Sequence, residues 1–129
     1  MKQSVVLRFG EFAREALEEQ ANLHRGSLDE VVRVAALHHL SELESGRIAP
    51  RVSRFHRSRR AESARAADPA LTLELELDDP AWSALHEAAV LQRIGLERLI
   101  EYAIWCYLAD LDSGLVTARI LERAERRSD

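Results

Sequence analysis

Residues 71–77 alternate strictly, as Leu71-Thr72-Leu73-Glu74-Leu75-Glu76-Leu77, so an extended chain sets four leucines on one side and three polar residues on the other. A period of two over this length predicts a half-buried β-strand. A weaker copy opens the chain, where Val5, Leu7 and Phe9 are expected to point inward and Ser4, Val6 and Arg8 outward. Behind each strand the apolar spacing changes to that of a helix. Ala13, Leu17, Ala21 and Leu23 form one expected stripe, and Ala81, Leu85, Ala88, Ala89 and Leu91 form the other. Asp79 followed by Pro80 predicts an N-cap with proline at the first helical position, where a missing N–H costs nothing. Gly26 and Gly95 are expected to end these helices by supplying a positive φ. Ser27, with Glu30 three residues on, reads as a capping box for a second helix. That helix carries Leu28, Val31, Val32, Ala35, His39, Leu40 and Leu43 on its stripe. Leu96, Leu99, Ile100, Ala103, Tyr107, Leu108 and Leu111 repeat the pattern later, and both second helices are expected to stop at a Ser-Gly pair.

The two halves are one unit written twice. A shift of 68 residues lays 4–46 on 72–114 without a gap, matching Leu7 with Leu75, Ala13 with Ala81, Leu17 with Leu85, Leu28 with Leu96 and Ala35 with Ala103. Each unit reads strand, helix, turn, helix. A single strand of this length cannot stand alone, and a unit this small cannot bury its own apolar faces. The expected solution pairs the two strands into a ribbon over four packed helices, with the register left open. Opposite-charge attraction between Arg8 and the glutamates of the second strand favours pairing within the chain. The organisation is then 1–46, first unit; 47–70, connector; 71–114, second unit; and 115–129, helical tail. The fold class is mainly α with a short two-stranded antiparallel β-ribbon, the two units fused as a single-chain pseudo-dimer.

At 129 residues the chain is too short for a two-domain enzyme, and no stretch reaches the roughly 18–20 consecutive apolar residues of a membrane span. The opening apolar run is too short for a signal peptide, so a soluble cytoplasmic protein is expected. Cys106 is the single cysteine, which excludes an internal disulfide framework and a zinc knuckle. A net charge of −4 argues against a polyanionic partner until its distribution is considered. Residues 47–67 hold seven arginines against one acid, Glu62, so this stretch carries +6 and the remainder of the chain −10.

The run Arg25-Gly26-Ser27-Leu28-Asp29-Glu30-Val31-Val32-Arg33-Val34-Ala35 carries a glycine turn, a serine cap, a glutamate and an aliphatic second helix. Together with the alternating strand, the Asp79-Pro80 cap and the Leu85 and Ala89 face, it resembles the ribbon-helix-helix proteins, the bacterial repressors and antitoxins that include Arc, MetJ and CopG. The resemblance covers both repeats, about two thirds of the chain. It implies a DNA-binding transcription regulator of repressor or antitoxin type, in which paired strands enter the major groove and the second helix turns its N-terminus to a phosphate. Carried over by position, the groove-facing residues are Ser4, Val6 and Arg8 with Thr72, Glu74 and Glu76, and Ser27 faces the phosphate. The chain departs from the family at Glu74 and Glu76, whose carboxylates are repelled by phosphates although glutamate can accept from cytosine N4. It departs again at Gly95-Leu96-Glu97, where the second copy has no serine cap.

The connector arginines Arg51, Arg54, Arg57, Arg59 and Arg60 are candidates for neutralising phosphates, with Phe55 and His56 against sugar or base; the plain alternative is a solvated linker. In the second copy the helix around Tyr102, Trp105 and Cys106 is apolar almost all round, so a further surface is expected to cover it. Candidates are a second copy of the chain, a toxin-like protein, or the tail through Val116 and Ile120. This defines a rival function, a protein-interaction module that kept the fold and lost groove reading. Adjacent His38 and His39 diverge by about 100° on a helix, so no metal or other cofactor is expected. Cys106 in an apolar helix reads as packing, and nothing in the pattern points to an enzyme.

Overall fold

Both alternating segments are strands. In a computed structural model, which describes residues 1–46 and 69–112, β1 (Lys2–Arg8) pairs antiparallel with β2 (Ala70–Glu76), and Val5 lies opposite Leu73. Val5, Leu7, Leu73 and Leu75 are buried on the inner face, and Phe9 and Leu77 continue that burial just past the strand ends. The other elements of the described chain are four helices: α1 (Glu11–Leu23), α2 (Leu28–Glu44), α3 (Asp79–Gln92) and α4 (Leu96–Asp112). The architecture is therefore mainly α with one short two-stranded antiparallel sheet. One core joins the ribbon's inner face to all four helices, with Leu7, Leu17, Leu75, Leu85, Leu99 and Ile100 fully buried in it.

Helix starts follow local side-chain chemistry. Ser27 Oγ accepts from the Glu30 N–H at 3.3 Å, satisfying one of the donors that every helix leaves open at its first turn. At α3 the cap is Asp78 rather than Asp79, since Asp78 Oδ1 accepts from the Ala81 N–H at 2.9 Å. Pro80 consequently sits one position farther in, where its missing N–H is still harmless because the first four helical N–H groups lack intrahelical acceptors.

The ends of α1 and α3 do not use glycine as expected, although Gly46, just past the end of α2, does take a positive φ of 75°. At the ends of α1 and α3 the residues with positive φ are Arg25 at 52° and Arg93 at 57°, which coincide under the 68-residue shift, whereas Gly26 and Gly95 do not. Behind each arginine the same pair of bonds closes the helix. Arg25 and Gly26 donate to Asn22 and Ala21, and Arg93 and Ile94 donate to Val90 and Ala89. This is the Schellman arrangement, in which two orphan carbonyls are satisfied by one left-handed residue.

Two expected stripe residues are instead exposed, Leu23 at 67% and Leu91 at 65%. At 100° per residue each lies about 120° from the centre of its helix stripe. The same geometry turns Trp82 and Gln92 inward on α3, and both are buried. On α2 the buried face extends past Ala35 to Ala36, His38, His39 and Glu42, because α2 packs along α4 as well as under the ribbon.

Candidate functional site

The outer face of the ribbon is the surface that the two strands build together. Its cross-strand pairs are Lys2 with Glu76, Ser4 with Glu74, Val6 with Thr72, and Arg8 with Ala70. All four pairs stand outward by the pleat, and Val6 at 40% exposure is the apolar member. This register corrects the expected attraction. Arg8 is at the end of the ladder farthest from Glu76, and the cation directly opposite Glu76 is Lys2. The face thus offers donors at Lys2 and Arg8, acceptors at Glu74 and Glu76, and hydroxyls at Ser4 and Thr72. Its chemistry is hydrogen bonding and charge, with no paired nucleophile and base.

The ribbon's edges are closed by helix side chains. Glu97 and Glu101 of α4 accept from the backbone N–H groups of Val6 and Arg8, the latter at 2.9 Å. Four residues of helix rise about 6 Å and two residues of strand about 6.6 Å, so an i, i+4 pair of carboxylates matches alternate N–H groups along an edge. On the other edge Arg33 Nε of α2 donates to the Glu76 carbonyl at 3.1 Å. Arg33 and Glu101 are equivalent under the 68-residue shift, as are Arg8 and Glu76, so the two edges use opposite chemistry at one position. Glu101 is buried and also lies 3.7 Å from Arg98.

Beneath the ribbon, α2 and α4 meet along a polar seam. His38 Nε2 is 2.8 Å from Asp110 Oδ2, and its ring meets Tyr107 edge-on with centroids 5.7 Å apart. His39 is 1% exposed, edge-on to Tyr102, and neither ring nitrogen has a hydrogen-bond partner among the described residues. Burial first, and His38 second, lower its pKa from 6.5 to about 4, against smaller opposing effects of Asp110 and Glu42. Burial likewise pushes the Tyr102 hydroxyl up to about 12 and raises the Cys106 thiol, although the Tyr102 hydrogen bond to that thiol acts the other way. A raised thiol pKa fits packing rather than nucleophilic chemistry.

No protein-family model matches this chain, and neither a curated protein nor a solved structure matches it.

Ser4, Val6 and Arg8 share one face of the ribbon, and Ser27 begins α2. Asp29 and Glu30 stand in that helix's first turn and already complement its dipole. Tyr102, expected to need a partner, packs on His39 of the same chain, and Cys106 bonds to Tyr102; Trp105 stays 43% exposed. Arg51, Arg54, Arg57, Arg59 and Arg60, together with Val116 and Ile120, lie outside the described residues. Among the described residues no group of three or more His, Cys, Asp or Glu side chains is arranged to hold a metal ion, and no helix is long and apolar enough to cross a membrane.

Pattern reading missed Glu97, Glu101, Arg33 and Trp82. The available signal was a glutamate pair four apart on an otherwise apolar helix. Trp82 replaces Arg14 of the first repeat, and its indole N–H donates to the Met1 carbonyl at 2.8 Å, tying α3 to the start of the ribbon.

Proposed function

We propose that this chain is a DNA-binding transcription regulator of ribbon-helix-helix type, a repressor or antitoxin-like autoregulator, folded as a single-chain pseudo-dimer. The observation that carries the reading is the register. Val5 pairs with Leu73, its own equivalent under the 68-residue shift, so every pair of the ladder maps onto another pair of the same ladder. That is the relation a two-fold dimer has between its strands, here built from one chain. The outward polar face fits a two-stranded reader of the major groove. Ser4, Val6 and Arg8 meet base edges, Ser27 lies toward a phosphate, and Arg51, Arg54, Arg57, Arg59 and Arg60 of the connector neutralise backbone charge.

A second reading is favoured by Glu74 and Glu76, which put two carboxylates on the ribbon face, and by Glu97 at the start of α4. On that reading the fold is a protein-interaction module, with Trp105 and the tail as its contact surface.

Fluorescence anisotropy of the full chain on DNA from upstream of its own gene, with scrambled competitor and a salt titration, separates the two. Binding that survives competitor and weakens in Arg8→Ala supports the regulator. Binding erased by competitor reduces the chain to an electrostatic tether, and no binding at low salt leaves the interaction module. Glu74→Gln with Glu76→Gln is expected to tighten binding to scrambled DNA by removing two repulsive charges; unchanged affinity takes the ribbon out of the contact.

A further inference from the structure

A reader made of two identical strands presents the same side chains on either side of its two-fold axis, and its DNA site mirrors that symmetry as a palindrome. In this ribbon the backbone is symmetric and the side chains are not. The ladder is centred on Val5 and Leu73, so the outer face divides into two halves. One half carries Val6 and Arg8 with Thr72 and Ala70; the other carries Glu74 and Glu76 with Ser4 and Lys2. Equivalent positions therefore hold Val6 against Glu74 and Arg8 against Glu76, an apolar side chain against a carboxylate and a cation against an anion. Ser4 against Thr72 is the position that keeps its chemistry.

The major-groove edges of the bases discriminate between these types. Guanine and thymine present acceptors, and thymine adds a methyl group that an apolar side chain can touch. Cytosine N4 and adenine N6 present amino donors, which suit a carboxylate acceptor; cytosine offers an arginine no acceptor and adenine only N7, against the two that guanine offers. Lys2 directly opposite Glu76 offsets part of that half's negative charge without altering its acceptors.

Resting on the DNA-binding reading above, we infer that the ribbon recognises a non-palindromic DNA site. The half under Val6 and Arg8 is rich in guanine and thymine on the contacted strand, and the half under Glu74 and Glu76 presents cytosine or adenine amino groups. The fixed pairing of unlike strands sets the orientation of the whole molecule on its site. A repeat unit that paired with its own kind would lose this polarity. Arg33 on the β2 edge and Glu101 on the β1 edge hold unlike strands in place with opposite chemistry, so the ribbon's asymmetry extends to its supports.

The test is selection of the full chain on a pool of duplexes with a randomised central segment, followed by competition binding. The expected result is an enriched motif without two-fold symmetry. A palindromic duplex built from the Val6 and Arg8 half alone is expected to bind about ten-fold more weakly than the selected site, the size of one mismatched base pair. Lys2→Ala with Glu74→Val and Glu76→Arg makes the two halves alike on the outer face, apart from the two hydroxyls Ser4 and Thr72, while leaving the buried Leu73 and Leu75 untouched. That variant is expected to reverse the preference and enrich a palindrome, and circular dichroism matching the parent shows that it folds. An enriched palindrome from the unaltered chain overturns the inference while leaving DNA binding intact. A pool that yields no motif from either protein overturns the inference together with the reading it rests on.

Discussion

Replacing His39 by leucine tests whether the seam between α2 and α4 is as dry as its geometry implies. His39 is 1% exposed, and its ring nitrogens have no hydrogen-bond partner among the described residues. Its pKa in the folded chain is about 4, against the ordinary 6.5 of an imidazole in water, which applies once the chain unfolds. As pH falls through 6.5 the unfolded chain takes up a proton at this position, while the folded chain resists until about pH 4. Stability from the neutral ring is thus fully present above pH 6.5 and is lost between 6.5 and 4. At about 1.36 kcal/mol per pKa unit the whole window is worth roughly 3 kcal/mol, a large share of an ordinary domain's 5–15 kcal/mol.

Urea unfolding of parent and His39→Leu at pH 7.5 and pH 4.5 measures this directly, because the rest of the chain is the same in both proteins. The variant is expected to be no less stable at pH 7.5, since it removes a buried polar group that has no partner among the described residues. Between the two pH values it should lose roughly 2–3 kcal/mol less than the parent. Equal losses in the two proteins would refute the burial argument, as would an imidazole resonance of His39 titrating near 6.5 by NMR.

Other substitutions probe the devices that close helices and strands. Arg25→Gly and Arg93→Gly are each expected to stabilise the chain by about 1 kcal/mol in urea unfolding, because glycine accepts the left-handed conformation without a Cβ penalty. Glu101→Ala removes the acceptor of the Arg8 N–H and is expected to cost about 2 kcal/mol, with faster hydrogen exchange at Arg8; Glu101→Gln keeps an acceptor and should recover much of the loss. Ser27→Ala is expected to cost about 1 kcal/mol by thermal unfolding through loss of the α2 cap, and no change in midpoint would mean that the 3.3 Å bond contributes nothing.

Much of the scaffold was legible because its causes are local. The leucines at 71, 73, 75 and 77 can share a face only in an extended chain, and Ser27 with Glu30 marks a helix start from either side of one turn. The 68-residue repeat added that the two strands are alike and that neither half can bury itself alone. Local reasoning went astray where two side chains satisfied the same rule. Asp78 and Asp79 both qualify as caps, and a glycine next to an arginine invites the glycine to take the positive φ. Leu23 and Leu91 were apolar enough to join a stripe that their angle on the helix excludes.

The candidate site divides in the same way. Sequence alone determined which side chains of each strand face outward, since alternation decides that without knowing the partner. The register came only from tertiary structure, because a slip of two residues would keep the same side chains on the inner face, and it is the packing of helices from both halves under the ribbon that sets Val5 opposite Leu73. Register in turn set Lys2 rather than Arg8 against Glu76, and brought Glu97 and Glu101 to N–H groups more than ninety residues away in sequence. The same long-range packing buried His39 beside Tyr102, with no partner for its nitrogens among the described residues. Periodicity reports which face of an element is wetted, and it carries no record of what the other face meets.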